Sequence, residues 1–287
     1  MNNKKIAYFT LAVFLGITLI LGIIILAFKN NGKLSVYFLD VGQGDAILIT
    51  NGANQVLIDS GRSGKIVLEK LGQAMPFWDR KLEALIITHP DADHYGGFNE
   101  ILDFYKVENI IRTSDNSEGG EWLALIEKIK DNKINSIESV RETKIVFPAG
   151  AELKIIYPPA DISQEKDKNN NSIVARLVFG QNEFLFTGDL SVAGENFLAN
   201  SSVDIQADFL KIGHHGSKSS SSANFLDKVS PRDAIISVGK GNTYGHPHKE
   251  VLDSLKNRTV RVWRTDEDGT IEYKCKNINE ICQAGRI

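Results

Sequence analysis

The chain has 287 residues, of which 42% are hydrophobic and 24% charged, and its formal net charge is −3 at pH 7. The length is sufficient for one large domain with a full hydrophobic core. The charge excludes a protein that binds nucleic acid through an overall positive charge, so any polyanion has to meet a local basic patch.

The N-terminus carries a long apolar segment. Residues 6–28 contain no charged side chain, and as a helix they reach about 34 Å, enough to span a bilayer. The segment lacks the short apolar core and small-residue cleavage site of a secretory signal, so we predict an uncleaved signal anchor. Lys4 and Lys5 place the N-terminus in the cytoplasm and the rest of the chain outside, although Lys29 and Lys33 at the other end weaken this charge bias.

After a polar spacer, strand signals alternate with helix signals, and strands also come in runs. Besides the apolar run before His89, the predicted strands cover residues 35–39, 46–50, 55–58, 109–111, 145–147, 153–157, 172–179, 184–186, 209–212, 234–238, 260–263 and 270–273. The predicted helices cover residues 63–71, 98–104, 121–130, 192–198 and 249–255. This mixture indicates an α/β (α+β) fold of two facing sheets with helices outside, an αββα sandwich, and not a doubly wound parallel sheet.

Two cysteines, Cys275 and Cys282, lie near the C-terminus, away from every candidate site. They cannot supply a cysteine-rich zinc module. Two states stay open for them, a local disulfide in an extracytoplasmic domain or two free thiols.

The most informative stretch is residues 85–97, LIITHPDADHYGG. His89, Asp91, Asp93 and His94 follow a buried strand within six positions, at a point where alternate side chains can converge. Imidazole and carboxylate together suit Zn²⁺, Mn²⁺ or Fe²⁺, and crowding them beside a buried strand is costly without a cation. The alternative is a polar loop that merely ends the strand.

Two further strand ends carry ligand-type residues. Asp189 follows Thr187-Gly188, where an aspartate is commonly a helix cap. His214 and His215 are adjacent on a glycine-rich turn, so only one of them is expected to bind a given cation. All six histidines fall in three strand-end loops, at positions 89 and 94, 214 and 215, and 246 and 248.

As a set, these motifs resemble the metallo-β-lactamase fold hydrolases of the ComEC/Rec2 competence type. The resemblance covers residues from about 34 to 273 and rests on DVGQGD at 40–45, LIDSG at 57–61, HPDADH at 89–94, TGD at 187–189, HHGS at 214–217 and YGHPH at 244–248. It implies the four-layer αββα sandwich in residues 34–287, preceded by the anchor and spacer in residues 1–33. It also implies two divalent cations, Zn²⁺ or Mn²⁺.

The resemblance assigns roles residue by residue. The implied ligands are His89, Asp91, Asp93, His94, Asp189, His215 and, as a residue that binds, donates a proton or orients the loop, His214. Asp189 matches the carboxylate shared by both cations, and Asp93 is also placed among the catalytic residues. The family's mid-domain histidine is missing, so either Asn171 replaces it or the position is vacant, which leaves the ligand set rich in oxygen and makes Mn²⁺ as credible as Zn²⁺.

Other residues are expected around the cations. Asp59 is assigned to support the metal loop, while Gln43 and Asp45 lie at the rim of the pocket or belong to a plain hairpin turn. His246 or His248 protonates the leaving group, contacts a phosphate or only fixes its loop. Ser217 and Tyr244 complete the residues expected near the substrate.

The resemblance implies hydrolysis of a phosphodiester by a hydroxide activated between the cations, with single-stranded or degraded DNA at the cell surface as the substrate class. Residues 211–264 contain ten Lys or Arg against four Asp or Glu, which favours a phosphorylated substrate. A β-lactamase is disfavoured by the carboxylate-rich ligand set, and a single apolar span predicts that the chain does not itself conduct DNA. Two alternatives remain: a cell-envelope phosphodiesterase that acts on decorated teichoic acids, and a membrane-tethered binding protein with a structural metal.

Overall fold

A computed structural model of the chain describes residues 3–29, 32–115, 117–139, 141–148, 150–159 and 167–287. Residues 1–2 and 30–31 of the predicted anchor and spacer lie outside this set. The strands are, in chain order, β1 Leu34–Phe38, β2 Ile47–Asn51, β3 Asn54–Ile58, β4 Lys81–Ile87, β5 Lys106–Arg112, β6 Asn135–Glu138, β7 Lys144–Val146, β8 Glu152–Tyr157, β9 Val174–Phe179, β10 Asn182–Phe186, β11 Phe209–Lys211, β12 Asp233–Ile236, β13 Arg261–Arg264, β14 Ile271–Cys275 and β15 Gln283–Arg286. The helices are α1 Asn3–Lys29, α2 Gly64–Ala74, α3 Ala92–Tyr95, α4 Phe98–Phe104, α5 Gly120–Asp131, α6 Val192–Asn200, α7 Ala223–Val229, α8 Lys249–Asn257 and α9 Thr265–Asp268. Two 3₁₀ turns lie at Lys168–Asn171 and Gly213–Gly216.

The strands form two mixed sheets. The first sheet has the order β15-β14-β1-β2-β3-β4-β5-β6, and the second has the order β13-β12-β11-β10-β9-β8-β7. In the first sheet β3 to β6 run parallel, and in the second β10 to β13 do. Each parallel run ends in loops at one edge of its sheet, and such edges are where side chains from several loops can meet.

Three apolar clusters define four layers. One cluster lies between the sheets and includes Phe184 and Phe209, whose rings stack with centroids 4.4 Å apart. A second includes Trp122 and covers the outer face of the first sheet with α2, α4 and α5. A third includes Leu198 and covers the outer face of the second sheet with α6, α7 and α8. The predicted αββα sandwich is confirmed.

Five of the strands and α-helices were not predicted from the sequence: the four-residue helices α3 and α9, which are too short to show a periodicity, and β6, α7 and β15. The edge strand β6 exposes nearly all of its side chains, so its sequence lacks the alternation of apolar and polar residues that predicts a strand. The short α7 follows a serine-rich run, and only its buried Phe225, Leu226 and Val229 reveal the packed face. The last strand, β15, is paired with β14 but contains no strongly β-forming residue.

The helix α1 is longer than the predicted span of residues 6–28. Within it, Lys4–Ile23 has a mean hydropathy of 2.4, and none of it is buried against other described residues. Leu15 exposes 71% of its surface and Phe9 exposes 68%. By length and composition, α1 is therefore able to cross a membrane.

The direction of the strands positions the candidate site. At one end of the first sheet, β1 begins at Leu34, which pairs with Asn51 and Cys275. At the opposite end, the register brings Phe38 and Ile58 to either side of Ile47, and the residues after Ile87 follow at the same edge. The loops after β1, β3 and β4 therefore emerge together, one strand length away from the point where the chain enters the sheet.

The two cysteines form a disulfide between Cys275 and Cys282. Both are buried, and they tie the end of β14 to the segment that leads into β15. Of the two states left open by the sequence, the structure contains the bonded one.

Candidate metal centre

Three histidines share one arrangement. In each of them the Nδ1 atom faces a supporting oxygen, while the Nε2 atom is buried and has no hydrogen-bond partner among the described residues. The supports are Thr88 Oγ1 at 3.0 Å and Ser172 Oγ at 3.4 Å for His89, Asp59 Oδ2 at 2.7 Å for His94, and the Ser237 carbonyl at 2.9 Å for His215. An imidazole held through Nδ1 with a free Nε2 is the usual state of a metal ligand.

Two carboxylates face the same space. Asp189 Oδ2 lies 3.3 Å from His94 Nε2 and 3.5 Å from His215 Nε2. Asp93 Oδ2 lies 3.4 Å from His215 Nε2. The second oxygen of Asp189 is also buried without a hydrogen-bond partner in the described chain. Ligand atoms from three distant loops therefore converge.

Among the described residues, three groups of ligand-type atoms overlap at His94, and in each group all atoms lie within 4.8 Å of one another. In the group of Asp45, Asp59 and His94 the carboxylates are engaged with Lys211 and Thr88, so the other two groups are the candidate cation clusters. The His89 cluster contains His89, His94 and Asp189, and the His215 cluster contains Asp93, His94 and His215. A buried, unpartnered polar atom is costly unless something satisfies it, and several converge here. Mixed nitrogen and oxygen ligands fit a divalent transition metal, so the residues fit a bound cation.

The charges of the site in the chain without a bound cation also indicate a cation site. Burial disfavours the charged forms of His94 and His215, but nearby carboxylates, above all Asp189, raise the pKa of both, to about 9 for His215. Burial likewise opposes ionisation of Asp93 and Asp189, yet the histidines hold the pKa of each carboxyl well below its usual range. Protons on the imidazoles thus balance negative charge that a cation would otherwise balance.

Two predicted ligands, Asp91 and His214, lie at the margin of the two clusters. Asp91 Oδ2 is 3.7 Å from His89 Nε2, and its side chain is 42% exposed. His214 Nε2 is 3.9 Å from Asp189 Oδ2, and its Nδ1 contacts Ser219 Oγ at 3.1 Å. Neither belongs to the two clusters. His214 and His215 both have left-handed backbone conformations, with φ of 46° and 53°, which is why adjacent side chains reach the site from different directions.

Asn171, the residue proposed for the missing histidine, lies at the end of a 3₁₀ turn beside Ser172. Its Nδ2 donates to Asp115 Oδ2 at 2.8 Å, while its buried Oδ1 has no hydrogen-bond partner among the described residues. An amide oxygen can ligate a cation, but Asn171 is not part of either cluster.

Asp59 lies where a supporting residue is expected. Its carboxylate accepts hydrogen bonds from the backbone N–H of Thr88 at 2.8 Å and from the hydroxyl of the same residue at 2.7 Å, besides contacting His94. Asp59 therefore fixes both the end of β4 and the orientation of a ligand ring.

Asp45 was expected at the rim of the pocket, and this is wrong. It is buried to 1% exposure, with Oδ2 at 2.7 Å from Lys211 Nζ and Oδ1 at 3.4 Å from His215 Nδ1. Burial opposes its charge, but Lys211, His215 and His94 together outweigh burial and lower the pKa of Asp45. Asp45 therefore lies behind His215, where the buried ammonium group of Lys211 balances its charge. Gln43 instead accepts a hydrogen bond from Gly239 N at 3.2 Å and so links the first loop to the last one.

Lys211 is a residue that sequence reasoning missed. It is completely buried in β11 and also donates to the carbonyl of Ile212 at 2.8 Å. The available signal was a lysine inside an apolar strand directly before the histidine pair, which is unusual unless the charge is paired.

The loop of residues 239–248 lies beside the clusters. The ring of His246 is 5.6 Å from that of His214 and 6.5 Å from that of His215. The Nδ1 of His248 accepts a hydrogen bond from Lys218 N at 3.2 Å. Ser217 is buried and contacts Ser219 Oγ at 3.0 Å, and Tyr244 is exposed and stacks on His246.

Comparisons with known proteins agree with this geometry. Residues 39–240 match the family described as the metallo-beta-lactamase superfamily. ComE operon protein 3 of Bacillus subtilis is 34% identical over 259 residues, which cover 84% of this chain and 33% of that protein. Recombination protein 2 of Haemophilus influenzae is 31% identical over 252 residues, covering 86% of this chain and 30% of that protein. The chain thus spans about a third of the length of these curated relatives.

Among solved structures, the metallo-beta-lactamase fold protein YhfI from Bacillus subtilis superimposes with a TM-score of 0.54 at 13% sequence identity, covering 81% of this chain and 96% of that one. This likeness concerns the fold alone. The family match, the two facing sheets and the clusters of His and Asp at their shared edge lead to one conclusion: the chain belongs to the metallo-beta-lactamase superfamily and is similar, within it, to the ComEC/Rec2-type competence proteins.

Proposed function

We propose that this chain is a metal-dependent phosphodiesterase that cleaves nucleic acid, most specifically single-stranded DNA. The observation that carries the proposal is the convergence of three buried imidazole Nε2 atoms with Asp93 and Asp189 at the shared edge of the two sheets. When bound there, one or two divalent cations supply the positive charge that activates water and stabilises a phosphoryl oxygen.

The chain's own residues orient this chemistry. Asp189 belongs to the His89 cluster and also approaches His215 at 3.5 Å, so it links the two clusters together with the shared His94. Asp59 keeps His94 in one ring orientation through its contact at 2.7 Å. Ligands fixed in this way lose little freedom on binding, which favours a preorganised site.

His246 and His248 differ in what they can do for the substrate. Burial and the neighbouring histidines lower the pKa of His246 to about 4, so it is neutral at pH 7 and suited to hydrogen bonding with a phosphate or sugar. His248 is engaged with the backbone of Lys218 and helps to fasten the loop. We therefore infer that His246 contacts the substrate and that its loop forms one wall of the binding site.

The unpaired positive charge near the candidate metal centre is smaller than the count of Lys and Arg in residues 211–264 indicates. Much of that charge is paired: Lys211 with Asp45, Lys249 with Asp253, Arg258 with Asp227, Arg261 with Asp233, and Arg264 with Asp266. Lys218 and Lys240 are exposed and have no carboxylate within 4.0 Å among the described residues. They lie on the same two loops as the later histidines, where they can meet phosphates.

The test uses the purified full chain in detergent, chelated and then reloaded with Mn²⁺ or Zn²⁺. Single-stranded DNA, duplex DNA, RNA and bis-p-nitrophenyl phosphate are the substrates. We expect cleavage of single-stranded DNA that Asp189→Asn abolishes and that Asp204→Asn, a change to an exposed carboxylate paired with Arg176, leaves intact.

Other outcomes point elsewhere. Hydrolysis confined to small diesters supports an envelope phosphodiesterase. No turnover with either metal, together with a lower melting temperature on chelation, supports a binding protein with a structural metal. Both results contradict the proposal.

We further propose that residues 1–33 anchor the chain in a membrane and that residues 34–287 form the hydrolase domain on the extracytoplasmic side. The exposed apolar surface of α1 supports the anchor, and the disulfide between Cys275 and Cys282 supports an oxidising compartment. Protease added to intact spheroplasts is expected to degrade the domain, whereas protection until the membrane is opened would place the domain inside.

A further inference from the structure

Tyr244 is a large aromatic side chain that is 65% exposed beside the candidate metal centre. Its ring lies parallel to that of His246, with centroids 5.7 Å apart and planes inclined by 23°. The ring of His246 in turn approaches those of His214 and His215. The rings therefore form a continuous path from the His215 cluster to solvent, and Tyr244 is its outer end.

The exposure of Tyr244 does not come from a loose loop. The side chain of Asn242 makes four hydrogen bonds within the loop: its Oδ1 accepts from Tyr244 N at 3.1 Å and from His246 N at 3.0 Å, and its Nδ2 donates to His246 O at 2.7 Å and to Gly239 O at 3.1 Å. One amide thus fixes the backbone on both sides of Tyr244. A flat apolar ring held in water by a rigid backbone is prepared for a partner.

The loop is also fastened to the rest of the site. His248 N donates to Gly216 O at 2.9 Å. A Cβ at Gly216 would lie 2.6 Å from Pro247 Cβ, so the glycine permits this close approach. The position of the Tyr244 ring is consequently tied to the turn that carries His214 and His215.

The charges near this ring restrict what can stack on it. Lys218 directly follows the turn that carries His214 and His215, Lys240 lies on the loop that carries Tyr244 and His246, and both lysines are exposed. Two ammonium groups repel a quaternary ammonium ligand such as a choline headgroup, although such a cation can otherwise bind an aromatic face. The same groups attract a ligand that joins phosphates to neutral planar rings, which is the chemistry of a polynucleotide.

We propose that Tyr244 is a stacking platform for a nucleobase next to the phosphate that is cleaved, with Lys218 and Lys240 holding the flanking phosphates. This inference rests on the proposed function and extends it to the substrate class. Stacking requires an unpaired base, so the platform selects single-stranded nucleic acid over duplex. Since every base offers a flat face, the platform does not select a sequence.

The test compares a normal oligonucleotide with one that carries abasic residues along its length. The full chain in detergent is used with the substitutions Tyr244→Ala and, as the matched control, Tyr244→Phe, which keeps the ring. Affinity is measured by fluorescence anisotropy in EDTA, where no cleavage occurs, and kcat and KM are measured with the reloaded metal. Melting temperatures establish that both variants are folded.

We expect Tyr244→Ala to weaken binding and raise KM for the normal oligonucleotide by about tenfold, with kcat little changed. The affinity for the abasic oligonucleotide should stay at the wild-type value, and Tyr244→Phe should behave as the wild type with both ligands. An equal loss of affinity for both oligonucleotides would show that the ring stabilises the loop and does not stack on a base. No loss of affinity for either would show that Tyr244 is not a stacking platform.

Lys218→Ala combined with Lys240→Ala provides a second measurement. Removal of two phosphate contacts should reduce the slope of log Kd against log salt concentration by about 1.4 for a single strand, while Lys256→Ala on α8 leaves the slope unchanged. If the wild type binds and cleaves DNA but the Tyr244 variants do not differ, only the platform fails. If the wild type neither binds nor cleaves DNA, the proposed function fails together with it.

Discussion

The His89 cluster and the His215 cluster share His94, yet they differ in the groups that contact Nδ1 of their other imidazole. Among the described residues, His89 Nδ1 faces only the hydroxyls of Thr88 and Ser172. His215 Nδ1 faces the carbonyl of Ser237, with the carboxylate of Asp45 3.4 Å away. An acceptor carrying negative charge makes an imidazole a stronger ligand. The two halves of one centre are therefore unequal, and we expect the His215 cluster to take the first cation.

The largest expected effect separates the two halves directly. After loading and dialysis, metal content measured by mass spectrometry should fall furthest in His215→Ala, because this variant loses a ligand of the stronger cluster. His89→Ala should retain more metal, since Asp93, His94 and His215 remain in place. A greater loss in His89→Ala would reverse the proposed order of binding.

The next effect concerns the support behind His215. Lys211→Met leaves the buried Asp45 carboxylate without its cation, which should lower the free energy of unfolding by about 3–5 kcal/mol in urea denaturation. Combining it with Asp45→Asn should restore part of the stability, because the uncompensated charge is then removed. Lys228→Met, a change to an exposed lysine on α7, is the matched control and should be neutral. A neutral Lys211→Met would mean that the buried pair does not stabilise this half of the site.

A smaller effect compares a carboxylate support with a hydroxyl support. Asp59→Asn weakens the orientation and basicity of His94 and should lower metal affinity about 10–100-fold in a competition titration with a chelator. Ser172→Ala, which removes one hydroxyl near His89, should lower it less. Equal effects of the two changes would mean that a charged support strengthens an imidazole ligand no more than a hydroxyl does, which contradicts the basis of the expected binding order.

The smallest effect is a dependence on pH. The pKa of His215 is raised to about 9, so at pH 7 its imidazole carries a proton that a cation has to displace. Affinity should therefore rise with pH, by about tenfold for each pH unit between 6 and 8 for this one proton. Calorimetry in two buffers of different ionisation enthalpy counts the protons released. Binding without proton release would contradict the raised pKa.

Much of this centre is readable from the sequence because its residues follow strands. His89 and Asp189 come within three residues of the ends of β4 and β10, His94 follows His89 by five positions, and the structure brings the three together. The strand β4 and the helix α4 show clear periodicity, and the predicted bounds of α4 agree with Phe98–Phe104.

What could not be read depends on long-range packing. Asp45 lies in the loop between β1 and β2 of the first sheet and Lys211 lies in β11 of the second, and only the folded chain shows that they pair behind a ligand. The roles of His214 and His215 depend on two left-handed backbone conformations, which cannot be predicted from two adjacent histidines in the sequence. The placement of Asp45 at the rim failed for the first of these reasons.

The chain enters the first sheet at Leu34, and the ligand loops leave that sheet at the far end of the same strands. A five-residue strand such as β1 is about 17 Å long. If α1 is embedded in a bilayer, its short connection to Leu34 keeps the near end of the sheet close to the lipid headgroups, and the cleft opens toward the surroundings. In that arrangement a ligand reaches the cleft without first having to be drawn between protein and lipid.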